Sequence, residues 1–503
     1  MSKLNDVGDA LNYLINNGYR IHPDAFALLK SSECDRKKMI ERIIQKKSRL
    51  KNFLILIEDI KTEFALEKYS TSLMLGGTGL TEKQHSLDSD DVNFNVLTDP
   101  TVKINSTEGI EGFTSLFRSR YEKMLKIFSM RSNAKRLKKI AEIKGNYKSL
   151  VKDPRSKDNK PESIFVSGLI LSKKIRTNDV EVVIDDMTGI LKFSVKEAEL
   201  KKKISLLVLD QMVMLEGYFN RNDKRSFNVK DLLYPDIPER IANKSHNEVY
   251  AVLISDLHIG SKYFMEDAYM KFIEWLYSDD EIVTRIKFVC IAGDIVDGIG
   301  IFPNQNKELV DMTTEKQLFR AVNLLERIPK RIHVFVIPGN HDPGRRSLPQ
   351  GSLNMPNVEL LDNFSLLGNP SLIELNKVKI LMFHGQSLDD IIGSIPDLTY
   401  SKPAEAMKYL LKMRHLSPIY GSRTPLAPEE EDMLVIEDTP DIFHSGHVHI
   451  IDVNRYKSTL IINSGAWQSQ TKYQQAMGIV PTPGIAIIVN LATLQVFQKS
   501  FIN

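Results

Sequence analysis

Side chains of the types that bind metal ions follow five apolar segments in the second half of this 503-residue sequence. The segments VYAVLIS, KFVCIA, HVFVIP, VKILMF and DIF alternate with helix-like stretches, which is typical of buried strands in a layered α/β domain. In such domains the carboxyl ends of the strands meet at one edge of the sheet. We therefore expect one site built from the polar residues at these ends: Asp256, His258, Asp294, Asp297, Asn340, His341, Asp342, His384, His444, His447 and His449.

Asp294 indicates what such a site would bind. It follows KFVCIA in the stretch GDIVDGIG, where an ionised carboxylate without a partner would be costly to bury. A cation would stabilise that charge, and a carboxylate can bridge two cations about 3.5 to 4 Å apart. Oxygen and imidazole ligands without thiolates suit Mn, Fe, Zn or Mg. The only two cysteines, Cys34 and Cys290, are far apart, which excludes a disulfide framework and a thiolate zinc site.

The spacing within the motifs favours the same prediction. Asp256 and His258 are two residues apart in DLH, so both point to one side if that segment is extended. HVH repeats this spacing. A single histidine after a strand is usually structural, but six of the 11 histidines of the chain fall in these motifs. Glycines adjoin the motifs and permit close backbone approaches: Gly293, Gly339, Gly385 and Gly446.

The chain is predicted to contain four regions. Residues 1–65 have the apolar spacing of short helices and form a helical N-terminal module. Residues 66–160 are first rich in Ser, Thr, Gly and Asp and then in basic residues, so we interpret them as a flexible linker with a basic segment. Residues 161–240 show the alternation of β-strands. Residues 246–503 form the α/β layered domain that carries the motifs.

The basic segment runs from Arg118 to Lys160 and has 15 Lys or Arg against 4 Asp or Glu, although the net charge of the chain is only +3. Such a segment suits a nucleic-acid backbone or an acidic partner, because basic side chains that neutralise phosphates release counterions. A solvated helix followed by a linker explains the composition equally well, since no aromatic interleaving marks a base-stacking surface.

Residues 161–240 contain five strand candidates, SIFVSGLIL, VEVVID, GILKFSV, QMVMLEGYF and SFNVKDLL, with one helix between the third and the fourth. This order is the plan of a five-stranded oligonucleotide/oligosaccharide-binding (OB) barrel, although other small barrels share it. This region contains the aromatic residues Phe165, Phe193, Tyr218 and Phe227. They could stack on bases, but packing in the core or against a partner is the simpler interpretation.

The composition is that of a soluble globular protein, with 42% hydrophobic and 26% charged residues. The chain has no run of 18 apolar residues, and its first residues lack the pattern of a signal peptide. We therefore expect a cytoplasmic protein without membrane association.

Taken in order, the motifs resemble those of the calcineurin-like metallophosphoesterases. The order is D-x-H, GD-x-x-D, GNHD, H-G and GH-x-H, and all five are present. The resemblance implies that His341 assists the leaving oxygen, and we further predict that Asp342 orients it. The resemblance also implies that the site binds two divalent cations. Mn²⁺ is the first choice, and Mg²⁺, Fe²⁺ or Zn²⁺ are the alternatives. Asp294 would bind both, and the other ligands would be Asp256, His258 and His449 for one metal and Asn340, His384 and His447 for the other.

Longer stretches are similar to the small subunits of archaeal family D DNA polymerases, namely LISDLHIGSKYF, GDIVDGIGIFPNQ, VIPGNHDPGRRSLPQ, MFHGQSLDDII and HSGHVHI. This resemblance implies a proofreading 3′–5′ exonuclease that hydrolyses DNA at single-stranded or mismatched 3′ ends beside a large polymerase subunit. A non-catalytic scaffold subunit and a general metallophosphatase or nucleotidase are the alternatives. The intact ligands argue against the first, and the fused barrel argues against the second.

Other residues near the motifs have more than one interpretation. Asp297 either supports a ligating histidine or caps a turn. His444 is predicted to support its strand end rather than to bind a metal. Arg345 and Arg346 suit either phosphate binding or an ordinary surface role. The C-terminal QVFQKSF is predicted to be a strand, and it has a weaker likeness to a sliding-clamp binding peptide in which Gln498 replaces an aliphatic residue.

Overall fold

The computed structural model describes residues 14, 19–21, 23–31, 40, 43–44, 54–55, 92–107, 109–131, 136–145, 163–219, 227–355 and 362–502. The chain divides into two compact units, residues 1–85 and residues 86–503.

The described residues of the first unit include a helix, a pair of short strands and further helical positions at Leu14, Ile40, Ile43 and Ile44. Helix α1 spans Pro23–Ser31, and proline suits a first helical turn because no hydrogen bond is required of its nitrogen there. Strands β1 (Arg20–Ile21) and β2 (Leu54–Ile55) pair in parallel. The other helices predicted within residues 1–65 fall largely outside the described residues.

The second unit contains most of the described strands and helices. The strands are β3 Phe94–Thr98, β4 Ile164–Ile175, β5 Val180–Asp185, β6 Ile190–Val195, β7 Met212–Phe219, β8 Phe227–Leu233, β9 Tyr250–Ile254, β10 Ile286–Ala292, β11 His333–Ile337, β12 Phe364–Leu366, β13 Ser371–Leu375, β14 Val378–Met382, β15 Ile442–Ser445, β16 Asp452–Tyr456, β17 Thr459–Asn463, β18 Ile485–Asn490 and β19 Val496–Ser500. The α-helices are α2 Gly109–Ser129, α3 Ile140–Gly145, α4 Ala198–Ser205, α5 Glu266–Leu276, α6 Glu281–Thr284, α7 Thr314–Leu325, α8 Leu388–Ser394, α9 Pro403–Met413 and α10 Lys472–Ala476. Two short 3-10 helices span Pro100–Val102 and Gln305–Glu308.

Two six-stranded sheets form the α/β domain, with strand orders β12-β11-β10-β9-β18-β19 and β16-β17-β15-β14-β13-β3. They pack face to face, because one apolar cluster contains Leu253 and Phe335 of the first sheet together with Ile380 and Ile462 of the second. Helices α5 and α7 cover the outer face of the first sheet, and α8 and α9 cover that of the second. The inner strands of each sheet are thus buried on both faces, which explains why these strands are continuously apolar.

Part of the predicted linker is structured. Strand β3 forms the edge of the second sheet and pairs antiparallel with β13. The ring of Phe94 lies 5.3 Å from that of Phe335, and the Asp99 side chain accepts a hydrogen bond from Thr101 N–H at the following 3-10 helix. The prediction of a linker was wrong here because the short segment FNVLT pairs through its backbone at the sheet edge and packs Phe94 against the core, while Val96 and Leu97 stay exposed.

Helix α2 contains the first part of the basic segment and buries one face of it. Leu116, Arg120, Met124 and Phe128 are buried at a spacing of four residues, which is one stripe of a helix. Lys123 lies 2.7 Å from Glu431 and 2.7 Å from Glu437. Lys123 therefore pairs within the chain, whereas Arg118 and Lys126 of the same helix are exposed.

Arg120 connects helix α2 to two other parts of the second unit. It is 1% exposed, and its Nε lies 2.7 Å from the buried carboxylate of Asp432. Its Nη1 donates to the main-chain oxygens of Pro418 and Asp210. Asp432 also lies 2.9 Å from His415 Nε2. A buried charge that is paired and hydrogen-bonded in this way stabilises one arrangement of the helix on the rest of the unit.

The five strand candidates of residues 161–240 form one antiparallel sheet of order β6-β5-β4-β7-β8. Helix α4 lies between the third and fourth strands along the chain, as predicted. Phe165, Phe193 and Phe227 are buried, and Lys230 Nζ lies 5.6 Å from the ring of Tyr218. These contacts favour the core interpretation of the aromatic residues. Closure of the sheet into an OB barrel stays a prediction.

The C-terminal peptide QVFQKSF contains strand β19, which pairs antiparallel with β18. Phe501 is buried and stacks on Trp467 with ring centroids 5.9 Å apart. Phe497 packs against Tyr250. The strand prediction therefore agrees with the structure, and both phenylalanines of the clamp-like peptide are used in internal packing.

Among the residues that the structure describes, no helix has both the length and the apolar character needed to cross a bilayer.

Replacing Arg120 by Ala should lower the free energy of unfolding by about 3 to 5 kcal/mol, because the buried Asp432 would lose its charged partner. Chemical denaturation of the full chain measures this loss. Arg118 is exposed on the same helix, so Arg118→Ala serves as the matched control and should change stability by less than about 0.5 kcal/mol. Equal losses in the two variants would show that the buried pair does not stabilise the fold.

Candidate metal centre

The predicted ligands follow the carboxyl ends of neighbouring strands. In the first sheet β9, β10 and β11 run parallel, and Asp256, Asp294 and Asn340 come after them. In the second sheet β14 and β15 run parallel, and His384 and His447 come after them. Since the two sheets pack face to face, these ends meet, and the structure brings all seven predicted ligands to one place.

Asp256, His258 and His449 form the first group of ligands, and all three are buried. The Nε2 atoms of the two histidines are 3.0 Å apart. Asp256 Oδ1 lies 3.3 Å from His449 Nε2 and 3.9 Å from His258 Nε2. One donor atom of each residue lies within 4.8 Å of the others, which suits a single cation.

Asn340, His384 and His447 form the second group. Asn340 Oδ1 is 2.9 Å from His384 Nε2 and 2.9 Å from His447 Nδ1. Asp294 Oδ2 is 3.3 Å from His384 Nε2 and 3.7 Å from His258 Nε2 of the first group. Asp294 therefore faces both groups, as a bridging carboxylate must.

The electrostatics of the centre favour a cation. Burial by itself lowers the pKa of His258, but its hydrogen bond with Asp297 and the nearby carboxylates raise that pKa to about 9. Burial also lowers the pKa of His384, and the charges of Asp294 and Asp256 together raise it to about 9. A buried imidazole holds a proton this strongly only in a strongly negative potential. The donor set therefore fits divalent cations that accept oxygen and nitrogen ligands.

The backbone at five predicted ligands is left-handed. The φ angles are 54° at Asp256, 51° at His258, 51° at Asp294, 69° at His447 and 62° at His449. The prediction that DLH and HVH are extended was wrong, because the strands end before them and each motif makes a turn. Such conformations are rare outside glycine and concentrate at functional sites, where the surrounding structure supports their cost.

Two glycines let the carboxylates into the centre. A Cβ at Gly339 would overlap Oδ1 of Asp294, and a Cβ at Gly446 would overlap Oδ2 of Asp256. A side chain at either position would displace a predicted ligand. The glycines of GNHD and GHVH are thus explained by close packing against the carboxylates.

Hydrogen bonds orient two of the ligating histidines. His258 Nδ1 lies 3.0 Å from Asp297 Oδ1, and His384 Nδ1 lies 2.8 Å from the main-chain oxygen of Ala292. Both partners are oxygen acceptors for an N–H at Nδ1, so Nε2 is the ring atom that faces the centre. Of the two interpretations of Asp297, the structure favours support of a ligating histidine.

The sequence analysis missed two residues whose side chains contact predicted histidine ligands. Asp389 Oδ2 lies 3.3 Å from His447 Nε2, and Gln474 Nε2 lies 2.7 Å from His449 Nδ1. Asp389 follows the H-G motif closely, so its position was a usable signal. Gln474 stands in a helix far along the chain from the other motifs, and no sequence pattern connects it to them.

His341 and Asp342 have different contacts from those predicted. The ring atom Nδ1 of His341 lies 2.8 Å from the main-chain oxygen of Asp297. The main-chain N–H of His341 donates a hydrogen bond to Asp294 Oδ1. The prediction that Asp342 orients His341 was therefore wrong. The carboxylate of Asp342 instead fixes the loops that carry the ligands, because it accepts hydrogen bonds from the N–H groups of Ile295, Val296 and Gly339.

The remaining candidates have structural contacts. His444 is buried in β15 with Nε2 2.7 Å from Ser464 Oγ, in agreement with its predicted role at the strand end. Arg345 pairs with the buried Glu429, which favours a structural role over phosphate binding. Arg346 is exposed, and its Nη2 donates to a main-chain oxygen at 3.3 Å.

Comparison with known proteins identifies the family. A family model that describes the B subunits of DNA polymerases alpha and epsilon matches residues 251–449. The DNA polymerase II small subunit of Archaeoglobus fulgidus is 32% identical over 490 residues, which cover 95% of this chain and 95% of that protein. That of Methanothermobacter thermautotrophicus is 31% identical over 507 residues, covering 98% and 100%. The chain belongs to the small-subunit family of archaeal family D DNA polymerase (DNA polymerase II).

The small subunit is also similar to a solved structure, titled as a novel archaeal phosphodiesterase. That likeness covers 50% of this chain and 99% of the other, with 14% identity and a TM-score of 0.26.

A cleft with a cavity volume of about 260 Å³ opens from the metal centre of the small subunit. His341 and His447 line it together with Phe302, Tyr400 and Tyr473. The sequence analysis did not single out these three aromatic residues. Phe302 lies within GDIVDGIGIFPNQ but is not a predicted ligand, and Tyr400 and Tyr473 lie in a loop and a short helix outside the motifs. Their positions follow from the way these segments surround the strand ends.

Replacing Asp297 by Asn should weaken binding of Mn²⁺ about 10- to 100-fold, because an amide cannot accept all the hydrogen bonds that orient this carboxylate and His258. Asp297 also accepts from the side chains of Gln305 and Gln468. Calorimetric titration of the metal-free protein with Mn²⁺ measures the affinity. Asp267 is exposed on α5, and Asp267→Asn is the control. An unchanged affinity in Asp297→Asn would contradict the supporting role.

Proposed function

We propose that this protein is a two-metal 3′–5′ exonuclease that hydrolyses phosphodiester bonds of DNA, and that it proofreads as the small subunit beside a large polymerase subunit. The observation that carries the proposal is the pair of ligand groups that share Asp294 beside an open cleft, in a chain of this polymerase-subunit family. A scaffold needs no such set of buried carboxylates and imidazoles, since their burial is costly without a cation.

The residues present fit two divalent cations, with Mn²⁺ as our first choice. Asp256, His258 and His449 would hold one and Asn340, His384 and His447 the other, with Asp294 shared. When bound, such metals lower the pKa of water and neutralise the charge of a phosphate. The centre is thus suited to phosphodiester hydrolysis at neutral pH.

His341 is the protein group best placed to act on the leaving 3′ oxygen. Its Nδ1 contacts a main-chain oxygen, and it lines the cleft beside the metal ligands. Nε2 is then the ring atom left for a substrate. Protonation of the leaving 3′ oxygen requires a proton on Nε2, that is, the imidazolium form of His341. Burial lowers the pKa of His341, so this form would be a strong acid that gives the Nε2 proton up to the leaving oxygen and becomes neutral imidazole.

Replacing Asp294 by Asn should abolish release of nucleotides from a 3′-labelled single strand, because both metals lose a shared ligand. The measurement is electrophoresis of the DNA after incubation with Mn²⁺, together with metal analysis of the protein. Asp267→Asn serves again as the control and should retain full activity. An Asp294→Asn protein that digests DNA at the parental rate would overturn the proposed function.

Replacing His341 by Ala should lower kcat about 10²- to 10⁴-fold while metal content stays at the parental level, because the residue acts on the leaving group and not on the metals. Single-turnover hydrolysis and elemental analysis measure the two quantities. A parental kcat in this variant would remove His341 from the reaction.

The parent protein should hydrolyse 3′-labelled DNA and leave p-nitrophenyl phosphate nearly untouched, since the proposed substrate is a diester. Parallel assays with equal Mn²⁺ measure the two rates. A preference for the monoester would favour the general phosphatase, and no hydrolysis of either substrate by the metal-loaded protein would favour the scaffold.

A further inference from the structure

We propose that Tyr473 is a stacking platform for an unpaired base of the strand whose end enters the metal centre. This inference rests on the proposed function and names the residue that makes the site selective for an unpaired end.

Tyr473 is unusual among the aromatic residues that the structure describes. Only Tyr420 and Tyr473 have exposed side chains, at 43% and 60%. The ring of Tyr420 packs against Phe113 and Phe117, with centroids 4.9 and 5.6 Å away. Tyr473 stacks on no other aromatic ring and on no Lys or Arg in the described part of the chain. One face of an aromatic ring is therefore available at this position.

The position of Tyr473 is fixed relative to the metal centre. It belongs to α10, which begins with a capping box between Thr471 and Gln474. The side chain of Gln474 contacts His449 Nδ1 at 2.7 Å. The residue next to Tyr473 thus touches a predicted metal ligand, and the short helix places the ring at the cleft that leads there.

A phosphate contact is available in the same cleft. Arg423 is the one Lys or Arg among the described residues that line it. Its loop is held by the buried carboxylate of Asp390, which accepts hydrogen bonds from Ser422 Oγ and from the N–H groups of Arg423 and Thr424. Asp390 thus fixes the main chain at Arg423, and a guanidinium carried on such a loop suits a phosphate of the strand backbone.

These features together select the occupant. A cavity of about 260 Å³ is below the usual range for drug-sized ligands, so it suits a single terminal nucleotide better than a duplex. Stacking tolerates any base, because every base has a π-face. A proofreading site must accept all four terminal nucleotides once they are unpaired, and an aromatic platform without base-edge contacts meets that requirement.

The test measures binding without hydrolysis. Fluorescence anisotropy in EDTA follows 5′-fluorescein single strands that end either in three normal nucleotides or in three abasic tetrahydrofuran residues. Tyr473→Ala and Tyr473→Leu should weaken binding of the normal strand about 5- to 150-fold. Tyr473→Phe should bind like the parent. The abasic strand should bind parent and Tyr473→Ala equally, because no base remains to stack.

Gln475 is exposed on the same helix and does not line the cleft, so Gln475→Ala is the matched control and should bind like the parent. Parental affinity of Tyr473→Ala and Tyr473→Leu for the normal strand would overturn the inference. So would an equal loss on normal and abasic strands. Hydrolysis of DNA by the parent protein in Mn²⁺ is assayed separately. If the parent hydrolyses DNA but the Tyr473 variants bind the normal strand like the parent, the stacking inference is refuted and the proposed function is not.

Discussion

The concentration of negative charge around Asp294 is the constraint on which the rest of the structure depends. Asp256, Asp294 and Asp297 are all buried, and together they raise the pKa of His258 to about 9 against the effect of burial. Carboxylates at this depth are stable only with charged partners and hydrogen bonds. The histidine side chains compensate part of this buried negative charge. The set of oxygen and nitrogen donors suits divalent cations, which would compensate the rest.

The fold meets this constraint by rigid packing. Two sheets packed face to face deliver ligands from five strand ends, and helices on both outer faces hold the sheets in place. Left-handed turns then aim the ligands, and Asp342 connects the loops after β10 and β11 through three main-chain hydrogen bonds. The strain at the turns is supported by the buried strands that precede them, since those strands cannot shift without opening the core.

The region before the α/β domain is tied to it by a second set of buried charges. Arg120 of α2 reaches Asp432, and β3 completes the edge of the second sheet. The five-stranded sheet joins the same arrangement, because Arg120 also contacts the main chain of Asp210. The α/β domain, the five-stranded sheet and part of the predicted linker are therefore joined by buried contacts and pack as one unit.

The sequence alone determined which seven residues, the predicted ligands, follow the strand ends that meet, together with the strands that carry them and the five strands with one helix upstream. Those features depend on local patterns: apolar runs, alternation, and polar residues directly after strands. Tertiary structure decided what depends on contacts between distant segments. The orientation of His341 by Asp297, the contacts of Asp389 and Gln474, the ordering of β3 and the burial of Arg120 join residues that are far apart in sequence or whose local pattern allows several partners. Such pairings depend on how the sheets and helices pack, and no local signal encodes which surfaces will meet.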